Sequence, residues 1–248
     1  MVPVVARSVE PEAVVDRLTA IGEAVFRDLE DLYAAVLPAF TAPAGRRPGI
    51  RELGIEHRVA TLLRGAGAGL VGAGFVAAPG ALRDVSHWLE WWTAGGPRGR
   101  RWTERLVVQV DAAADDFRDY TTLPWFRVPE RTGRRHLTGP YVDYLCTDEY
   151  TLTFTAPVQH RGTFLGVVGA DVVVRWVEDL LREPLLAVAA PVTVVNAAGR
   201  VLTSTVASLT AGDLVRDVPA RWDGGDEASG GRLLRCAGLP LGLLVHPA

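Results

Sequence analysis

The stretch EYTLTFTAPVQHRGTFLGVVGADVVV, residues 149–174, decides the fold. Thr151, Thr153 and Thr155 alternate with Leu152 and Phe154. That period of two places one set of side chains on each face of a strand. A second apolar run, TFLGVVGADVVV, ends near Asp171, and QHRGT between the two runs reads as a hairpin turn. Two strands joined so tightly are antiparallel.

Outward from this hairpin, GLVGAGFVAA, HWLEWWT, RLVVQVD and YVDYL read as further strands separated by Gly/Pro turns. RWVEDLLREPLL reads as a helix that closes the unit. VTVVNAAGRVLTST and GRLLRCAGLPLGLLVHP form a second, weaker set of strands, with ARWDGGDEASGG (220–231) as a loop. At the other end, Val14, Leu18, Ile21, Val25, Leu29, Leu32 and Val36 step by three or four residues. They make one apolar stripe on a long helix that begins near Pro11 and stops at Pro38. That stripe packs on its own domain or forms a dimer seam, and both readings stand at this level. Residues 50–65 read as a second helix. The order is long helix, antiparallel sheet with insertions, helix, then a smaller β-rich module. This is α+β rather than a doubly wound parallel sheet.

Composition narrows the function. Apolar residues make up 48% of the 248, enough for an ample core. The net charge of -3 supplies no field for nucleic acid or an anionic membrane. All 26 basic residues are arginine, which excludes Schiff-base lysine chemistry and a lysine phosphate loop. Cys146 and Cys236 have no CxxC spacing, the five histidines are scattered, and no metal site or cofactor is expected. Whether the two cysteines pair is open. The start has no basic region followed by an apolar stretch, and no apolar run spans a bilayer, so the expectation is a cytoplasmic chain unless it is part of a longer receptor. GAGLVG (67–72) matches GxGxxG by letter, but a helical segment precedes it and a strand follows. That is the reverse of a dinucleotide site, and a small-residue strand against a close neighbour accounts for it better.

Five of the seven tryptophans fall between residues 88 and 125. HWLEWW puts Trp88, Glu90 and Trp92 on one strand face and Trp91 on the other. Tyr120, Trp125, Phe126 and Arg127 follow, then Tyr141 and Asp143 on one face of GPYVDYL. Aromatic walls with one or two carboxylates suit a cationic ligand, since ring faces attract a cation and a buried acid pairs with an ammonium. The plainer account is that the tryptophans are core and the acids cap turns.

The ordered set LPWF, PYVD, TFTAPV and GVVGAD resembles the Cache (PAS-like) sensor domain family, most clearly over residues 117–181. VTVVNAAGRVLTST is similar to the start of the second module of a double Cache domain. The resemblance implies a helix over 1–41, a ligand-binding module over 42–183 and a smaller PAS-like module over 184–248. It implies a small-molecule pocket over the larger sheet, for amines, amino acids or carboxylates. Trp125 and Phe126 match the aromatic pair on the loop that covers the pocket. Tyr141 and Asp143 match the Tyr-x-Asp pair, and Asp171 matches the acid that meets a ligand amino group. Trp92, Tyr120, Arg127 and Thr153 complete the expected binding set. The amino-acid-binding subset has an arginine two residues before the tryptophan; here Leu123 stands there.

The expected function is therefore a non-catalytic sensor that signals through a homodimer or a separate partner, with no nucleic acid and no cofactor. Two alternatives stay open: a small enzyme using Asp143 and Asp171 as an acid/base pair, and a dimeric scaffold built on Leu18 and Val25.

Overall fold

The hairpin of residues 150–173 lies inside a six-stranded antiparallel sheet. The computed structural model describes residues 8–42, 46–65, 69–95, 102–142, 149–224 and 231–247. The larger sheet has β1 (Leu70–Ala77), β2 (Trp88–Gly95), β3 (Trp102–Arg105), β4 (His136–Val142), β5 (Tyr150–His160) and β6 (Thr163–Val173) in the order β3-β2-β1-β6-β5-β4. The smaller sheet has β7 (Val192–Asn196), β8 (Val201–Ser204), β9 (Arg232–Arg235) and β10 (Leu241–Val245) in the order β8-β7-β10-β9. The helices are α1 (Pro11–Thr41), α2 (Ile50–Leu53), α3 (Glu56–Gly65), α4 (Pro124–Thr132), α5 (Val174–Ala187) and α6 (Val218–Trp222). This is the α+β architecture expected from the sequence.

The apolar stripe of α1 is spent inside the chain. Val14, Leu18, Val25, Leu29, Leu32 and Val36 are all buried, joined by Val15, Gly22 and Phe26. α1 lies along β5 and β6 and reaches β9 and β10, so one continuous apolar core runs under both sheets. At Gly22 the packing is tight, and an added methyl would sit 2.6 Å from Leu239. Leu18 and Val25 are thus core residues of the fold. α5 joins the two sheets, and residue 183 falls within it.

Three local expectations change. α1 continues past Pro38 to Thr41: the proline forfeits one backbone bond and crowds the carbonyl a turn back, but Phe40 packs edge-on against Phe75 and holds the last turn. The single helix over 50–65 is two, broken where Gly54 takes a left-handed φ of 60°. The strand read in RLVVQVD ends at Arg105; Leu106 still donates its N–H to Trp91 O at 2.8 Å, and residues 107–110 leave the sheet, with Val107 88% exposed. YVDYL keeps its first two residues in β4, and the rest lies outside the described residues.

Both faces of the larger sheet are covered. Phe75, Trp92, Leu152, Phe154, Val168 and Ala170 face α1 and α3. The opposite face carries Val76, Trp91 and Val167, and packs against α4 and the 3-10 turn Tyr120–Thr122 that precedes it. That second face holds the site.

Candidate functional site

Register builds the site. Thr138, Thr153, Asp171 and Gly72 stand side by side on β4, β5, β6 and β1. The next row is His136, Thr155, Gly169, Gly74 and Trp91. Alternation puts every one of these residues on the face opposite α1.

The second row explains the glycines. A methyl group added to Gly74 would lie 2.9 Å from the Trp91 ring, on Gly169 3.1 Å, and on Gly72 2.8 Å from Trp91 Nε1. The indole therefore lies flat over three positions without side chains. Gly72 is the last glycine of GAGLVG and Gly74 follows two residues on, and both are used for the close approach of a neighbour, as expected of a small-residue strand. The same added methyl on Gly72 would sit 3.0 Å from Asp171 Oδ2, so the indole N–H edge and the carboxylate share one corner.

Asp171 is 5% exposed in the middle of this face. A carboxylate there is costly unless polar groups meet it. The Thr153 hydroxyl donates to Asp171 Oδ1 at 2.6 Å, and Tyr141 Oη lies 2.5 Å from Thr153 Oγ1. A threonine hydroxyl has one proton. With that proton directed at Asp171 Oδ1, Thr153 is left to accept from Tyr141. The chain of donors Tyr141→Thr153→Asp171 thus points one way, toward the acid, and favours its charged form. A register shift between Thr138 and Tyr141, through Gly139 at φ 115°, brings Tyr141 back over β5. Beside it, Thr138 Oγ1 is buried without a hydrogen-bond partner among the described residues. Burial holds the His136 imidazole below its ordinary value.

The aromatic wall stands on α4 and the 3-10 turn. The expected covering loop is in fact the helix α4, opened by Pro124 and closed at Gly133 in a left-handed conformation. Phe126 is fully buried, edge-on to Tyr120 at 5.2 Å and to Phe164 at 5.4 Å. Trp125, half-buried, stacks on Tyr120 at 6.3 Å. Tyr120 donates to Ala77 O at 2.7 Å and accepts from Trp88 N at 3.2 Å. Its burial pushes the phenol up to about 12. Tyr120 is a strut that ties the turn to β1 and β2.

Of the residues singled out in the sequence, Tyr141, Thr153 and Asp171 form one hydrogen-bonded unit, and Tyr120, Trp125 and Phe126 form one aromatic cluster. Trp91 belongs to the aromatic cluster, and its Nε1 edge and the Asp171 carboxylate both lie over Gly72. Trp92 is elsewhere: it belongs to the core under α1 and α3, on the opposite face. Arg127 stands exposed on α4. Asp143 lies outside the described residues. Trp91 and Thr138 were not singled out. Alternation separated Trp91 from Trp92, but only the packing of α1 tells which face of β2 is which. Among the described residues no group of acids, histidines and cysteines is placed to hold a metal ion.

Residues 102–179 match the family model of the first PDC sensor domain of proteins like methyl-accepting chemotaxis proteins. No curated protein matches the chain. Among solved structures, the extracellular domain of the putative histidine kinase soHK1S-Z6 is similar at 13% identity and a TM-score of 0.59, over 94% of this chain and 89% of that one. The ligand-binding domain of the Pseudomonas aeruginosa amino acid chemoreceptor PctC, in complex with GABA, is similar at 15% identity and a TM-score of 0.52, over 95% of each chain. That of the Pseudomonas fluorescens chemoreceptor CtaA, in complex with L-valine, is similar at 17% identity and a TM-score of 0.54, over 96% and 94%. The Cache-type resemblance read from the motifs agrees with this match to a sensor-domain model and with the fold of these structures. The expectation of a cytoplasmic chain is corrected. Domains of this fold include extracellular parts of putative histidine kinases, and charge and composition carry no information on that point. No helix among the described residues is long and apolar enough to cross a membrane.

Proposed function

We propose that this chain, with its sensor-family segment at residues 102–179, is the ligand-binding part of a sensory protein and takes a small molecule bearing a cationic amine. The observation that carries this reading is the one-way donor chain from Tyr141 through Thr153 to Asp171. It favours a buried carboxylate kept as an acceptor, which an ammonium complements with a charge-assisted bond. Trp91 supplies ring surface beside it, and Trp125 belongs to the aromatic cluster that Trp91 joins, as a cation or an apolar skeleton requires. GABA and L-valine, bound by two of the similar chemoreceptor domains, both carry an ammonium group. Leu123, 42% exposed, occupies the position where the amino-acid-binding subset has an arginine for the ligand carboxylate. This favours recognition by the amine end over a two-ended grip on an α-amino acid.

The domain binds without chemistry. Its output is a shift between two conformations, set by the ligand's differential affinity for them, and passed to a second copy or a separate partner. The test is a thermal-shift screen of amines, amino acids and carboxylates. Amine-bearing compounds raise the melting temperature, and Asp171→Asn removes the rise. No shift from any amine, or turnover of a bound compound, overturns the reading.

A further inference from the structure

A second cavity, of about 520 Å³, opens at the other end of the larger sheet. It lies between the end of α1, the segment after β1 and the β5–β6 turn. From Asp171 to Thr163 is eight residues of β6, roughly 27 Å of strand, so the two sites are separate. Phe40, Phe164 and Leu165 give it apolar walls, while Arg46, Arg47, Arg161 and His160 also line it, and no carboxylate among the described residues does.

The arginines are not equivalent. Arg46 is paired with Glu52 at 3.0 Å. Among the described residues Arg47 donates only to a neutral acceptor, the Gly80 carbonyl, at 2.6 Å. Arg161 takes no hydrogen bond or ion pair among the described residues. Two guanidinium charges, from two distant parts of the chain, are therefore uncompensated beside one cavity.

The placement of Arg161 is itself unusual. His160 pairs with Thr163, so Arg161 and Gly162 are the two residues of a hairpin turn, with φ of 49° and 78°. Such a turn wants a left-handed conformation at both positions, and Asn, Asp or Gly normally supplies the first. Among the described residues Arg161 is the sole non-glycine residue with a positive φ. A strained position occupied by a free arginine at a cavity points to a use for its side chain.

We propose that this cavity is a second ligand site, for a small anion with at least two carboxylate or phosphate groups. Arg47 and Arg161 each take an oxyanion, and the apolar walls cover what links the two groups. Titration calorimetry with citrate and with pyrophosphate tests it, against acetate at matched ionic strength. Citrate, pyrophosphate or both bind, and acetate does not. Which of the two binds separates a carboxylate ligand from a phosphate one. Arg161→Gly weakens the binding at least tenfold while the melting temperature stays level or rises, since glycine relieves the turn. Arg47→Ala also weakens it at least tenfold. Neither anion binding at millimolar concentration overturns the proposal, and so does binding that both variants leave unchanged. Citrate and pyrophosphate carry no amine, so the test stands apart from the fate of the Asp171 site.

Discussion

Thr153 and Asp171 face each other directly across β5 and β6, and the threonine hydroxyl donates to the carboxylate at 2.6 Å. Because Tyr141 stands behind Thr153, the acid is fed from one side by two hydroxyls in series. Asp171→Asn puts an amide where the carboxylate accepts, and loses the charge. The expected result is a folded domain whose affinity for an amine ligand falls by about 2–3 kcal/mol, roughly 30–150-fold. The melting rise of wild type at saturating amine, several degrees at about a hundredfold excess over Kd, should disappear.

Tyr141→Phe is the milder companion. It removes the outer donor and leaves Thr153 in place. Ligand affinity should fall by about 1 kcal/mol, roughly fivefold, with little change in melting temperature. Calorimetry on the two variants side by side gives the order Asp171→Asn worse than Tyr141→Phe; the reverse order contradicts the donor chain.

The glycines under Trp91 should rank by what their missing side chains would meet. At Gly74 an added methyl meets Glu90 O at 2.1 Å, a backbone atom that cannot step aside. At Gly72 it meets side-chain atoms of Trp91 and Asp171 at 2.8 and 3.0 Å. Gly74→Ala should prevent folding or cost more than about 3 kcal/mol, and Gly72→Ala about 1–3 kcal/mol with a shift in tryptophan emission. Equal melting temperatures for the two would count against this packing.

Alkali should destabilise the domain. Burial pushes the Cys236 thiol up to about 11 and the Tyr120 phenol up to about 12, from 9.0 and 10.0. For both, the folded state holds its proton longer than the unfolded chain. Their contribution is complete below pH 9 and is lost as pH rises toward 11 and 12. Denaturant midpoints between pH 8 and 11 should fall steadily. In a Cys146→Ala background, Cys236, 5% exposed, should resist alkylation at pH 8 until the protein is unfolded.

Leu18→Asp decides between the two uses of the α1 stripe. Leu18 is 2% exposed within the chain itself. The variant should melt far below wild type, or fail to fold, at every protein concentration. A stripe serving as a dimer seam would instead give a folded monomer and a concentration-dependent melting curve in wild type.

The sequence by itself determined what depends on local periodicity. The alternating threonines marked β5, the three-to-four spacing marked α1, and the ordered motifs put Trp125, Phe126, Tyr141 and Asp171 in one candidate site. These signals survive in a single chain because strand and helix impose their periods on the residues they bury. The tertiary structure decided which side of each element faces what. Trp91 and Trp92 are neighbours on β2 with equal claims in the sequence. Only α1 and α3, packed on one face, send Trp92 into the core and leave Trp91 over the glycines beside Asp171. The α1 stripe was compatible with a partner helix until the two sheets took it. Arg161 read as an ordinary turn residue until its φ of 49° and the cavity beside it were seen together. Each of these depends on contacts between residues far apart in the chain, and no local period records them.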